Sequence, residues 1–227
     1  MAIRVARRAL GRIFFQRCFY LFFVLLAFVG IVPFIDPTPA GRVATALLNA
    51  LIVVAAVAAV GRTVLSFVVA LLLAGPALYF HWLGVTAGDS TSVALSWAFG
   101  AALYAATILY LLLYVFQPEV MTADKLYGAA AVYLLIGALW AHLYALVDHF
   151  YPGSFSATAS LTSRKVVDLL YFSYTVLTST GFGDIAPLTP QARAVCVIEQ
   201  LIGALFVAIL IARLAGVYPP SRRRDGD

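Results

Sequence analysis

Long apolar runs constrain the fold of this chain more than any other feature. Six of them follow one another within 227 residues, at 19–35, 43–60, 63–83, 92–116, 126–147 and 190–217. Crossing a bilayer takes about 20 apolar residues, and a backbone without water must satisfy its own hydrogen bonds, which a continuous run does as a helix. The composition is 63% hydrophobic and 11% charged. The sequence therefore predicts an all-α integral membrane protein.

A seventh apolar segment, at 166–178, is too short to cross and precedes an unusual glycine pattern. Residues 179–183 read Ser-Thr-Gly-Phe-Gly, and Asp184 follows. Two glycines separated by one aromatic residue allow φ values that other residues avoid, so successive carbonyls can point the same way. Such a strand can line a narrow tube.

The glycine pattern and its surroundings resemble the tetrameric potassium channel superfamily, whose filter reads Thr-Val-Gly-Tyr-Gly. Ser179, Thr180 and Phe182 depart from that pattern. The aromatic-rich segment before it and the glycine-containing apolar run after it also resemble this superfamily. The resemblance implies six transmembrane helices, a re-entrant pore helix and a filter loop per subunit, assembled as a homotetramer in the lipid membrane. It implies K⁺ as the permeant ion and no cofactor.

The resemblance also divides the chain. It implies a basic cytoplasmic N-terminus (1–18), a voltage-sensor-like four-helix bundle (19–116), a linker (117–125), a pore domain (126–217) and a short basic tail (218–227). Within the pore domain it implies an outer helix (126–147), a pore helix (166–178), a filter (179–183) and an inner helix (190–217).

The basic residues predict the orientation, because Lys and Arg concentrate in short cytoplasmic loops. With the N-terminus inside, the outer segments hold three basic residues, Arg42, Arg164 and Lys165. The inner segments hold Arg4, Arg7, Arg8, Arg12, Arg17, Arg62, Lys125, Arg222, Arg223 and Arg224. We therefore expect a multi-pass protein of the cell membrane, as in bacterial channels of this type, with both termini cytoplasmic. We interpret the net charge of +5 as a topology signal and not as a nucleic-acid site. The first run is too long for a signal peptide, so we expect a retained span.

The filter resemblance assigns roles to a contiguous set of residues. A ring of backbone carbonyls replaces the water of a dehydrated cation without burying a charge. The carbonyls assigned to K⁺ are those of Ser179, Thr180, Gly181 and Phe182. The filter as a whole comprises Thr178, Ser179, Thr180, Gly181, Phe182, Gly183 and Asp184.

Supporting residues are expected next to the filter. They are Tyr171, Phe172, Tyr174, Thr175 and Glu199. The family pattern predicts a hydrogen bond from Tyr171 to Asp184. Glu199 is an acid within a span and therefore a functional candidate; we expect it to be hydrogen-bonded near the pore helix, with Thr175 as partner, and a direct cation site is the alternative.

The last span carries the predicted gate. Gly203 lies where the family has its hinge glycine, and the alternative is a small residue that permits close helix packing. Apolar positions further along are candidates for a hydrophobic gate: Val207, Ala208, Ile211, Ala212 and Ala215. We expect Arg213 to reach lipid headgroups.

The fourth run lacks the charges of a voltage sensor. No Lys or Arg occurs between Asp89 and Asp124, whereas each moving charge would supply about 2.3 kcal/mol per 100 mV. Strong voltage gating is therefore not predicted. The last run ends near residue 217, so we expect the gating stimulus to act on the membrane part.

These observations predict a passive potassium-selective channel, gated at the inner helices or at the filter. A weakly selective monovalent cation channel is one alternative, because three filter positions depart from the common pattern. A non-conducting membrane subunit is another. An enzyme is disfavoured, because no paired carboxylates, metal-ligand cluster or activated nucleophile occurs at a recognisable spacing.

Overall fold

The computed structural model describes residues 17–35, 38–60, 64–117, 122–157 and 165–217. This part of the chain is mostly helical, with helices α1 (Arg17–Ile31), α2 (Pro39–Val60), α3 (Val64–Ala87), α4 (Ser90–Val115), α5 (Ala123–Phe150), α6 (Lys165–Leu177) and α7 (Pro190–Val217). Two short strands, β1 (Phe155–Ala157) and β2 (Ile185–Pro187), interrupt the expected all-α pattern. Most of the basic N-terminus, Arg62, Arg164 and the tail at 218–227 lie outside the described residues.

Within these residues, four helices are long and apolar enough to cross a membrane. They cover Ser66–Gly84, Ser90–Val115, Ala123–Phe150 and Pro190–Gly216. The first two helices carry shorter apolar segments, Cys18–Phe34 and Val43–Ala59. Helix α6 has 13 residues, too few to cross. The chain is therefore a multi-pass membrane protein.

Helix α5 is the centre of the packing. Consecutive helices from α1 to α5 contact one another, and α5 also contacts α1, α6 and α7. Its buried face contributes Trp140 and Tyr144 to the larger apolar core, which Leu169 of α6 and Cys196 of α7 also enter. Helix α5 therefore joins the bundle of α1–α4 to the helices on either side of the glycine-rich loop.

Side-chain caps fix where two long helices begin. The Asp89 carboxylate accepts hydrogen bonds from the Ser92 hydroxyl (2.7 Å) and from the N–H groups of Ser92 (2.9 Å) and Thr91 (3.3 Å). These hydrogen bonds hold the pKa of Asp89 below its usual value, and the bond from the Ser92 hydroxyl has the largest effect. The Thr122 hydroxyl accepts from the Lys125 N–H (3.3 Å) at the start of α5. Each cap satisfies amides that the first helical turn leaves without partners.

The strand pair pins both ends of the segment that contains α6 and the glycine-rich loop. Strands β1 and β2 are antiparallel, with Ser156 opposite Ala186. Beyond the strands, the Leu188 N–H donates to the Ser154 carbonyl (2.8 Å), and the hydroxyls of Ser154 and Thr189 lie 3.0 Å apart. The chain leaving the loop is thereby fastened to the chain that leads into α6.

Candidate functional site

The backbone of the glycine-rich loop alternates in handedness. Ser179, Gly181 and Gly183 have φ values of +57°, +57° and +82°, while the residues between them do not have positive φ. In the described part of the chain, Ser179 is the one residue other than glycine with positive φ, a conformation that is uncommon for L-residues. Alternation of this kind lets successive carbonyls face one side.

The N–H groups at the start of the loop are hydrogen-bonded to the end of α6. The Ser179 N–H donates to the Val176 carbonyl (2.9 Å), and the N–H groups of Thr180 and Gly181 both donate to the Thr175 carbonyl (2.9 and 3.2 Å). No described residue donates a hydrogen bond to the carbonyls of residues 179–182. These oxygens are therefore available to a cation.

The hydroxyl of Thr180 finds a partner that the sequence did not indicate. Its Oγ1 lies 2.8 Å from Oγ1 of Thr178, whose hydroxyl also lies 2.6 Å from the Tyr174 carbonyl. The threonine at this departure from the family pattern is therefore hydrogen-bonded beside the end of α6.

Helix α6 ends directly at the loop. Its last residue is Leu177, and Asp168 lies in its first turn. An acid complements the positive N-terminal end of a helix, and the C-terminal end carries partial negative charge. This arrangement favours a cation next to the loop.

Aromatic residues of α6 hold the loop from one side. The ring of Tyr171 stacks on that of Phe182, with centroids 6.3 Å apart and planes at 7°. The Tyr171 hydroxyl is hydrogen-bonded to Asp184, the contact that the family pattern predicts. Tyr171 therefore contacts two of the loop residues.

Two further aromatic residues of α6 attach it to α5. The Tyr174 hydroxyl donates to the Leu134 carbonyl (2.8 Å), and its ring lies so close to Gly137 that a Cβ there would be 2.4 Å from a ring carbon. Phe172 is buried against Tyr144, with ring centroids 5.3 Å apart. The position of α6 thus depends on the surface of α5.

Glu199 lies in a buried polar cluster behind the loop. It is fully buried on α7 and accepts hydrogen bonds from the hydroxyls of Tyr144 on α5 and Ser173 on α6. The expected partner was wrong, because the Thr175 hydroxyl donates to the Phe172 carbonyl (2.8 Å) instead. Sequence reasoning missed Tyr144 and Ser173, since the rotation of three separate helices brings them together. Glu199 therefore joins these helices.

Gly203 allows α7 to approach α6 closely. A Cβ at this position would lie 2.3 Å from the Leu177 carbonyl oxygen, a distance that real contacts do not reach. Gly203 belongs to a buried stripe of α7 together with Ala192, Cys196 and Glu199. This contact supports the alternative that Gly203 permits close helix packing. Bending at Gly203 stays a prediction.

The candidate gate positions share an exposed face of α7. All five are exposed: Val207, Ala208, Ile211, Ala212 and Ala215. Only 17% of the apolar span of α7 is buried within the chain, so this helix depends on lipid or on other subunits for cover. The Arg213 Nη2 donates to the Gln117 carbonyl (3.1 Å), which joins the last turns of α7 to the end of α4, while its contact with lipid headgroups stays a prediction.

Several proteins similar to this chain are described as potassium channels. Residues 128–218, from α5 through α7, match the family described as ion channel. Two pore potassium channel c of Oryza sativa subsp. japonica is 43% identical over 61 residues, which are 27% of this chain and 13% of that protein. Two-pore potassium channel 5 of Arabidopsis thaliana is 35% identical over 81 residues, 36% of this chain and 17% of that protein. The chain thus spans less than a fifth of either plant relative.

A short viral relative is covered more fully. Potassium channel protein kcv of Paramecium bursaria Chlorella virus 1 is 30% identical over 73 residues, which are 30% of this chain and 77% of the viral protein. No solved structure matches the chain significantly. The chain belongs to the potassium channel superfamily, and these similarities point to a channel rather than an enzyme.

Proposed function

We propose that four copies of this chain form a passive potassium-selective channel, with the loop 178–184 of each copy lining the pore. The carrying observation is the alternating backbone at Ser179, Gly181 and Gly183, combined with carbonyls that no described residue occupies. Rings of such carbonyls replace the hydration shell of K⁺. One chain supplies one strand of carbonyls, so a closed ring requires several copies around an axis.

The proposed channel also assigns roles to the helices around the loop. The pore helix is α6, and α5 and α7 are the outer and inner helices. Counting α1 and α2 as spans gives six crossings, with the termini inside and Gly181 near the outer face. The exposed apolar face of α7 contributes to the pore and subunit interfaces, and Val207 and Ile211 are candidates for a constriction that closes by dewetting.

A weakly selective cation channel is the second candidate. It is favoured by Phe182, which lacks the hydroxyl of the usual filter tyrosine and whose ring stacks on that of Tyr171. A filter held less rigidly would discriminate less between K⁺ and Na⁺.

Flux from liposomes separates these functions. Purified protein is reconstituted with K⁺ or Na⁺ inside, and efflux is followed with and without external Ba²⁺. The proposal predicts Ba²⁺-sensitive K⁺ efflux much faster than Na⁺ efflux. Equal rates for the two ions would establish the weakly selective channel, and no flux of either ion from confirmed assemblies would support a non-conducting subunit.

A further inference from the structure

A cavity of about 110 Å³ lies between the four-helix bundle and the pore domain, away from the glycine-rich loop. Every helix from α1 to α6 contributes to its wall. Most of the lining is apolar, including Leu103 of α4 and Leu170 of α6, and the lining includes no Asp, Glu, Lys or Arg. The cavity therefore suits a neutral, largely apolar molecule.

A small number of polar groups interrupt this apolar lining. The His142 Nδ1 donates to the Ala138 carbonyl (2.8 Å), so in the neutral imidazole Nε2 is a hydrogen-bond acceptor. The lining glycine Gly100 makes room for that ring, because a Cβ there would lie 3.0 Å from Nε2. On another wall, the buried Tyr104 hydroxyl donates to Asn49 Oδ1 (3.3 Å), which leaves the Asn49 amide as a donor.

We propose that this cavity is a binding site for a small neutral amphipathic molecule, an aromatic ring or short chain bearing one hydroxyl. The hydroxyl donates to His142 Nε2, and the apolar part packs against Leu103 and Leu170. The volume is of the same order as the ~150 Å³ engineered cavity that holds a benzene ring. An acceptor at one wall of an apolar space selects a hydroxyl compound over its hydrocarbon counterpart.

The site is next to the helix that carries the loop. Val166, Val167 and Leu170 line it from the first turns of α6, and the same helix ends at Leu177 beside the loop. An occupant therefore holds α6 at a fixed distance from the bundle and alters conduction. This consequence rests on the proposed channel function, whereas binding itself does not.

Binding is tested by adding 4-fluorophenol to the full chain in detergent and measuring the ¹⁹F line width of this probe. Fluorobenzene is the control probe, because it lacks a hydroxyl. Ser96 lines the cavity, and its hydroxyl donates only within α4, to the Val93 carbonyl (2.7 Å). Ser96→Leu therefore fills the cavity without removing a hydrogen bond that the Ser96 hydroxyl donates between helices. Ala98→Leu, at an exposed position of the same helix, is the matched control.

The proposal predicts saturable binding of 4-fluorophenol that Ser96→Leu weakens at least about tenfold and Ala98→Leu leaves unchanged. His142→Leu should weaken 4-fluorophenol about five- to tenfold, as expected for one hydrogen bond, and fluorobenzene hardly at all. Non-saturable partitioning, or equal binding by the Ser96→Leu and Ala98→Leu proteins, would overturn it. Binding without any effect on K⁺ flux would retain the site and contradict only its link to conduction.

Discussion

Residues with positive φ determine which way the carbonyls of the loop face. Gly181 has a φ of +57° and no atom of the same chain within 4 Å of the position of a Cβ, so within one chain the reason for glycine there is conformational. Ser179 adopts the same φ as a non-glycine residue, held by its N–H bond to Val176.

Replacement of Gly181 by alanine tests this conformational role. The left-handed region costs an L-residue about 1–2 kcal/mol, a cost that each subunit would bear. We expect assembled protein that no longer conducts K⁺ selectively, measured as the ratio of K⁺ to Na⁺ efflux from liposomes. Gly30→Ala, at a position that also has open space but no positive φ, should leave the ratio unchanged. An unchanged ratio in Gly181→Ala would remove Gly181 from the filter.

The buried cluster around Glu199 gives a second prediction for single residues. Tyr144→Phe deletes one of the two hydroxyls that donate to the Glu199 carboxylate. A buried acceptor left without its donor costs about 1–3 kcal/mol. We expect the free energy of unfolding in detergent to fall by that amount.

Tyr79→Phe is the matched control for this deletion, because the Tyr79 side chain is 64% exposed. The same denaturant titration should show little change for it. Equal effects of the two substitutions would mean that the hydrogen bond to Glu199 does not stabilise the pore domain.

At the scale of helices, the contact between α6 and α7 decides whether the loop has a firm base. Gly203→Ala would push a methyl group against the Leu177 carbonyl, one residue before the loop. We expect a lower thermal midpoint of the assembly and reduced K⁺ flux. Gly216→Ala, on the same helix with nothing within 4 Å, should change neither. A Gly203→Ala channel with normal conductance but a changed open probability at every voltage would support bending at Gly203. That result would contradict the packing interpretation.

The helices also show how far sequence reasoning reaches. Apolar length placed the last helix at 190–217 and the short helix at 166–178, and the structure has them at Pro190–Val217 and Lys165–Leu177. The glycine spacing indicated the unusual loop backbone, since it depends on local φ values. Local patterns carry such information because each helix end and turn is set by its own residues.

Contacts between separate elements could not be predicted from such local patterns. The partners of Glu199, the bond from Arg213 to Gln117 and the stacking of Tyr171 on Phe182 all depend on how helices rotate and how the loop folds back. The strand pair β1–β2 was also missed, because three-residue strands lack a detectable period. A single sequence does not fix these relations.

At the scale of the whole molecule, the bundle α1–α4 packs against α5, and its helix α4 lacks sensing charges. No Lys or Arg occurs between Asp89 and Asp124, so α4 carries no basic charge through the membrane field. Voltage steps across a planar bilayer should therefore change the open probability only weakly. A steep rise on depolarisation would contradict this expectation and would require another source of gating charge.

Assembly is the second property at this scale. The apolar face of α7, with Leu201 and Leu205 each 57% exposed, needs cover that one chain does not provide. Light scattering with correction for bound detergent should give a mass of four chains of 24.4 kDa. If the protein is a monomer or dimer in mild detergent and nevertheless conducts after reconstitution, this result would contradict a pore lined by carbonyls from four copies.

The carbonyls of residues 179–182 are proposed to select K⁺. The most direct measurement of this selectivity is the reversal potential of the purified channel in a planar bilayer with K⁺ on one side and Na⁺ at equal concentration on the other. We expect a reversal potential far from zero, with the sign set by K⁺. A reversal potential near zero, with clear currents in both directions, would contradict this selectivity.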